Sequence, residues 1–241
     1  MMIYTYKGLE VLYPVSELNT HYLDRIILTM SKALKDYKRV HALRLDLRLP
    51  VSDSEKDILR RDEVLNNTFN QKNIIKRFFE SLKAKIKAQE KRMKVSGKRI
   101  YPCHLRYVWC RERNKSTNDH YHLVLFFNKD RYFSSGYRDN EESLVRLIMD
   151  AWSSALGEYV DNADRLVVRL IMDAWSSALG EYVDNADRLV QLVYKGTHYL
   201  DQNKYDFENK YQALFTRLSY FAKNRTKHYD EGKRCFGTSQ G

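Results

Sequence analysis

Residues 101–127 read YPCHLRYVWCRERNKSTNDHYHLVLFF. Two apolar runs, His104 to Cys110 and Tyr121 to Phe127, are rich in Tyr, Val, Trp and Phe, and a polar stretch, Arg111 to Asp119, separates them. β-Branched and aromatic residues favour strands, so two such runs around a polar interval predict an antiparallel hairpin with a long loop. Successive side chains of a strand alternate between faces, which puts His120 and His122 on the same side. If Glu112 sits opposite His120, the ladder also pairs Cys110 with His122 and Val108 with Val124. Glu112 then joins the two histidines, with side-chain origins ~5 Å apart across the pair. Two imidazoles and a carboxylate converging in this way form a divalent-metal site with open positions. Glu112, His120 and His122 are the predicted ligands.

The remainder of the chain supplies a frame for that hairpin. Residues 1–15 carry a short strand at most, around Ile3 to Tyr6. From Asn19 or Thr20, as N-cap, the spacing of Leu23, Ile26, Ile27, Met30 and Leu34 is helical and ends near Tyr37. Residues 41–50, HALRLDLRLP, alternate with period two. Leu43, Leu45, Leu47 and Leu49 face one way, Arg44, Asp46 and Arg48 the other, and Pro50 closes the strand. The charged face is either solvated or approached by a polyanion. A short helix and loop are expected over Ser52 to Asn67, then a long helix from Asn70 to Lys94 that buries Ile74, Ile75, Phe78, Leu82 and Ile86. Its remaining surface is strongly basic, Lys83, Lys87 and Lys91 included, and suits either solvent or phosphate. Arg188 to Tyr194 reads as a strand continuing through Thr197 to Leu200. A final helix over Phe207 to Lys227 carries the apolar seam Phe207, Tyr211, Leu214, Leu218 and Phe221. Arg217, Tyr220, Lys223, Asn224 and Lys227 lie along its polar face, and the tail holds Lys233 and Arg234. Trp109, Trp152 and Trp175 read as core residues.

One feature breaks the pattern of an ordinary domain. VRLIMDAWSSALGEYVDNADRLV occupies Val145 to Val167 and recurs letter for letter at Val168 to Val190. Solenoid repeats diverge and need several copies, so this exact 23-residue tandem duplication does not build a repeat fold. Each copy reads as an amphipathic helix up to Gly157 or Gly180. Only one such helix is expected to dock on the sheet, with the stretch that includes Asp161 to Val167 bulging outward.

Composition narrows the function. A net charge of +11 and a pI near 9.4 in an aromatic-rich chain, with 18 tyrosines, point to a polyanionic partner, most simply nucleic acid. Cys103, Cys110 and Cys235 are odd in number and unpaired in spacing, which favours a reducing cytoplasm. The opening MMIYTYKGLEV lacks the apolar core of a signal peptide, and no run is long enough to span a bilayer. Neither a membrane nor a small-molecule substrate is expected. The architecture these readings predict is α+β, with a central antiparallel sheet of about five strands and flanking helices. Residues 1–37 form an N-terminal helical extension, and 38–241 the main domain.

His120-Tyr121-His122 in a strand, a glutamate on the preceding strand and a late Tyr-x-x-Lys (Tyr220, Lys223) resemble the HUH endonuclease superfamily of rolling-circle initiators and relaxases. RLDLRLP, YVWCRE, HYHLVLFFNKD, SYFAK and RCFGTS, in that order, look more closely like the inovirus replication-protein and YagK/YfjJ C-terminal family of phages and prophages. The resemblance covers most of Val40 to Ser239 apart from the extra copy. It implies a metal-dependent DNA-nicking and joining protein that initiates rolling-circle replication through a 5′-phosphotyrosine, leaving a free 3′-hydroxyl for a polymerase. Tyr220 is then the nucleophile and Lys223 its electrostatic partner, with Tyr211 and Tyr229 as rival tyrosines. Asn224, four residues after Tyr220, implies a single-tyrosine mechanism. Mg²⁺ prefers oxygen ligands and a site with two histidines accepts Mn²⁺ readily, so either ion is expected. The partners implied are single-stranded DNA at a replication origin, with a host helicase and polymerase. Arg44, Arg48, Lys83, Lys87, Lys91, Arg217, Lys227, Lys233 and Arg234 are the candidate DNA contacts. A non-catalytic DNA-binding protein of this fold, or a phosphodiester hydrolase without a covalent step, are the competing readings.

Overall fold

The computed structural model describes residues 3–49, 73–113, 119–136, 140, 142–156, 189–225, 227 and 234–240. In chain order the elements are β1 (Tyr4–Tyr6), β2 (Leu9–Val11), a 3-10 turn (Val15–Glu17), α1 (Thr20–Asp36) and β3 (Arg39–Arg48). Then come α2 (Ile74–Val95), β4 (Arg106–Glu112), β5 (His120–Asn128), α3 (Leu144–Leu156) and β6 (Val190–Asp201). The chain ends with α4 (Phe207–Ser219), a second 3-10 turn (Tyr220–Ala222) and β7 (Phe236–Thr238). The class is α+β, with a five-stranded antiparallel sheet ordered β6-β3-β5-β4-β7 and four α-helices among the described residues. The histidine strand β5 is its middle strand, as the sequence predicts. The expected helix and loop over Ser52 to Asn67, residues 168–188 of the second repeat copy with Trp175, and the stretch 161–167 fall outside the described residues.

Two units divide the chain: residues 1–49, 90–135 and 192–241 in one, 50–89 and 136–191 in the other. The first holds the sheet. Its β4–β5 hairpin has the predicted register, with Glu112 opposite His120, Cys110 opposite His122 and Val108 opposite Val124. On the other side of β5, β3 pairs Asp46 with His122 and Arg48 with His120. Period two therefore sorts the strands into two faces. Val40, Ala42, Val108, Val124 and Phe126 of one face share a buried core with Leu23, Ile26 and Met30 of α1 and Leu214, Phe215 and Leu218 of α4. Leu43, Leu45, Leu47, Leu123 and Leu125 of the opposite face are at most 1% exposed. Helix α1 starts where predicted, because the Asn19 side chain accepts from the Tyr22 N–H at 3.1 Å and satisfies an otherwise orphaned donor.

Residues 1–37, set apart in the sequence as an extension, belong to the unit of the sheet and put α1 into its core. They also contain a hairpin the sequence reading missed. β1 and β2 pair Tyr6 with Leu9 around Lys7-Gly8, both at positive φ (49° and 79°), a tight two-residue turn. A Lys-Gly pair is a weaker signal for such a turn than Asn-Gly, which is why only the strand near Ile3 was visible.

The last helix is shorter than its apolar seam suggests. It stops at Ser219 instead of running to Lys227. Beyond it, Asn19 N–H donates to Ala222 C=O (2.8 Å), Asn224 N–H donates to Glu17 C=O (3.1 Å), and Leu18 forms an antiparallel bridge with Lys223. Residues 222–224 are committed to this non-local pairing and cannot also continue an α-helical ladder.

The second unit pairs the part of α2 up to Gln89 with α3. Phe78 meets Trp152 edge-on, with ring centroids 5.8 Å apart, and both are buried. Arg77 donates to the Ala155 carbonyl near the C-terminus of α3 (3.1 and 2.8 Å), while Gln89 donates to Glu142 C=O just before its start (2.7 Å). The helices therefore run antiparallel, and Arg77 satisfies one carbonyl that α3 leaves open. Ile75, predicted buried, is only partly so, and Phe79 takes the buried place (4% exposed).

Candidate functional site

The site is a set of neighbouring rungs on one sheet face. Arg48, His120 and Glu112 stand side by side on β3, β5 and β4, and Asp46, His122 and Cys110 form the next row on that face. Each of Glu112, His120 and His122 offers a ligand atom, and these atoms lie within 4.8 Å of one another. Glu112 is 1% exposed and fully engaged. Its Oε1 accepts from Lys227 Nζ (3.0 Å), and its Oε2 accepts from the Tyr220 hydroxyl (3.1 Å) and lies 3.5 Å from His122 Nε2. His122 Nδ1 donates to Asp46 Oδ1 at 2.7 Å. With that proton on Nδ1, the neutral ring carries its lone pair on Nε2, on the side of Glu112. A carboxylate behind a histidine in this way is the usual outer partner of a metal-bound imidazole.

Burial disfavours the charged form of His122, but the hydrogen bonds to Asp46 and Glu112 outweigh it and the net shift is upward. His120 goes the other way, lowered by burial and then by His122, so its ring stays neutral and free to ligate. A buried carboxylate, a carboxylate-backed imidazole and a neutral imidazole form a donor set that fits a divalent ion. Tyr220 closes the site from the 3-10 turn, its ring 5.8 Å from that of His122 and nearly perpendicular. Lys223 Nζ donates to the Tyr220 oxygen at 3.0 Å and sits 4.1 Å from the ring centroid. Burial pushes the Tyr220 phenol upward and the Glu112 carboxylate adds to this, while burial lowers the Lys223 ammonium. The phenol is held protonated, as a donor to Glu112.

All five residues predicted for chemistry, Glu112, His120, His122, Tyr220 and Lys223, meet here. The predicted DNA contacts separate. Arg44 lies over the rings of Tyr220 and Phe221, its guanidinium carbon 5.9 and 5.7 Å from their centroids, and Arg48 is exposed beside His120. Arg217 is half-buried and donates to the Tyr194 and Lys195 carbonyls, both at 2.8 Å. Lys83 and Lys87 are exposed on α2 in the second unit, and Lys91 and Arg234 are exposed in the first. Lys233 and the rival Tyr229 lie outside the described residues, and Tyr211 packs beside Phe207 against the core (6.0 Å). Lys227 is a correction. It was expected on the polar face of the last helix, as a DNA contact, but the helix ends eight residues earlier and its side chain is buried on Glu112. Asp46 was missed as a site residue. Its alternation with Arg44 and Arg48 gave its face, and only the β3–β5 register puts it behind His122.

The YagK/YfjJ C-terminal domain model matches residues 1–170 and 156–239. The uncharacterized protein YagK of Escherichia coli (strain K12) is 35% identical over 204 residues, covering 85% of each chain. The uncharacterized protein YfjJ of the same strain is 33% identical over 238 residues, 94% of this chain and 98% of that protein. No solved structure matches this chain. On this coverage the chain belongs to the YagK/YfjJ C-terminal domain family.

Proposed function

We propose that this protein nicks and rejoins single-stranded DNA to initiate rolling-circle replication of phage or prophage DNA, as a single-tyrosine member of the HUH endonuclease superfamily. The observation that carries the reading is the 3.1 Å hydrogen bond from the Tyr220 hydroxyl to Glu112, itself grouped with His120 and His122. A nucleophile's oxygen held on the carboxylate of a histidine cluster is what phosphodiester transfer needs. Mg²⁺ or Mn²⁺, held by Glu112, His120 and His122, would neutralise a phosphoryl oxygen and make the phosphorus a better electrophile.

The residues divide the remaining work. The Tyr220 oxygen attacks phosphorus, a Tyr–O–P bond forms, and the P–O3′ bond breaks to leave a free 3′-hydroxyl. The phenolic proton leaves toward Glu112 Oε2, which already accepts it, and the 3′-oxygen takes a proton from solvent. Lys223, 3.0 Å from the same phenol oxygen, stabilises the charge that grows there. Rejoining is the reverse, with a 3′-hydroxyl displacing Tyr220. Asp46 fixes the His122 ring, and Lys227 fixes Glu112.

End-labelled single-stranded oligonucleotide incubated with the protein and Mn²⁺, run on denaturing gels, separates the readings. A shifted protein–DNA band that disappears in Tyr220→Phe supports the proposal. Cleavage without adduct would indicate a hydrolase, and binding without cleavage a non-catalytic DNA-binding protein; either overturns it.

A further inference from the structure

We propose that Arg44, His198 and Arg217 form a phosphate subsite beside Tyr220, which takes the phosphodiester of single-stranded DNA neighbouring the one that reacts. The inference rests on the reading of the site as one that handles a DNA strand, and adds a residue, His198, that no sequence motif singles out.

Three elements bring the groups together. Arg44 comes from β3 and lies over Tyr220 and Phe221. Arg217 comes from α4, and its two terminal nitrogens are spent on the carbonyls of Tyr194 and Lys195 in β6. Those carbonyls belong to an irregularity in the strand. Lys195 has φ of 51°, and a Cβ on Gly196 would meet the Arg44 carbonyl oxygen at 2.8 Å and that of Val193 at 2.6 Å. Gly196 is thus the residue that lets β6 close on β3, and a local kink of this kind re-aims the side chains that follow. His198 is two residues on.

What the three groups lack is an anion. Arg44 Nε and His198 Nε2 are both buried without a hydrogen-bond partner. Among the described residues, none of the three forms an ion pair with a carboxylate. They act on one another instead: burial first, then Arg217 and Arg44, disfavours the charged form of His198, and Arg217 is lowered by burial and by Arg44. Two guanidiniums sharing a partly desolvated corner repel one another and hold the neighbouring imidazole neutral, and two polar nitrogens stay unsatisfied, an arrangement that costs free energy unless a ligand relieves it. A cation would worsen it. A phosphodiester supplies acceptors for Arg44 Nε and for His198 Nε2 when that nitrogen carries the ring proton, and offsets the two positive charges, chemistry for which guanidinium is well suited. The position of Arg44 against the Tyr220 ring makes a DNA backbone, running on from the reacting phosphate, the ligand that fits.

The test is anisotropy of a fluorescent oligothymidine with the full-length protein, repeated over a range of salt concentrations. Each single-strand phosphate contact contributes about −0.7 to the slope of log K against log salt. Arg44→Gln is expected to bind several-fold more weakly with a slope shallower by about that amount. Arg44→Lys should keep the slope, and His198→Ala should weaken binding several-fold and leave the slope unchanged, because that ring is neutral. Should Arg44→Gln fail to fold, the Arg44→Lys and His198→Ala pair decides by itself. Unchanged affinity in His198→Ala, or an unchanged slope in folded Arg44→Gln, overturns the subsite and leaves the DNA reading standing. No salt-dependent binding by the unaltered protein overturns both.

Discussion

Asp46 makes no claim on a metal, yet the ring that would hold one depends on it. Its 2.7 Å bond to His122 Nδ1 sets both the tautomer and the plane of the imidazole. Asp46→Asn keeps the shape and removes the charge, so Mn²⁺ affinity measured by titration calorimetry should fall by about 10- to 100-fold. An unaltered affinity would remove Asp46 from the site. His41 allows a prediction that has nothing to do with catalysis. Its ring is fully buried, and burial lowers its pKa from 6.5 to about 4. Between those values the unfolded chain binds a proton that the folded chain refuses, so stability falls as the pH drops from 6.5 toward 4. The loss should reach about 3 kcal/mol, and His41→Leu should flatten that part of the curve in urea unfolding. A slope that survives the substitution would assign the acid sensitivity to other groups. Glu112, His120 and His122 could be found from sequence because a hairpin register and period two are local rules. Asp46 and Lys227 could not, since one needs a strand pairing across more than seventy residues and the other a chain reversal after α4.

The elements show where local pattern stops being a guide. The seam of α4 continues through Phe221, which is buried as expected, but the helix does not, because residues 222–224 pair with Glu17 to Asn19. The chain before α1 thereby holds the turn that carries Tyr220, which no helical periodicity announces. The repeated segment is the converse case. Its first copy forms α3, with Trp152 packed on Phe78, and the family model matches the chain in two stretches that overlap at 156–170, within the doubled region. The expectation is that one copy is enough for a domain of this family. Because the copies are identical, deleting Val145–Val167 or Val168–Val190 produces the same protein. That protein should fold with unchanged circular dichroism, bind and nick as before, and self-associate less in sedimentation velocity. Lengthening a connection costs only about 0.6 kcal/mol per doubling, so the shortened form should gain little stability. Failure of the deletion to fold would show that both copies are structural.

At the scale of the whole molecule, a chain of net charge +11 sets a histidine–carboxylate cluster on one face of its sheet, with His120 and His122 on the middle strand. No helix among the described residues is long and apolar enough to cross a membrane. The class, the strands β3, β4, β5 and β6 and the central position of β5 were legible because alternation and turn residues are written locally, whereas the short edge strand β7 in the tail was not. The closing of the site by the two chain ends was not, because it is a product of tertiary pairing. The sheet carries the histidine–carboxylate cluster and the 3-10 turn brings the Tyr220 hydroxyl to it. The central claim is that Tyr220 is the residue that takes the DNA. Protein incubated with Mn²⁺ and a single-stranded origin oligonucleotide, then digested with nuclease and protease, can be mapped by mass spectrometry for the residue that retains a nucleotide. The expected result is a 5′-phosphodeoxynucleotide on the peptide containing Tyr220, absent when EDTA replaces the metal. A nucleotide on Tyr211 or Tyr229, or cleaved DNA with no modified tyrosine, would contradict the account.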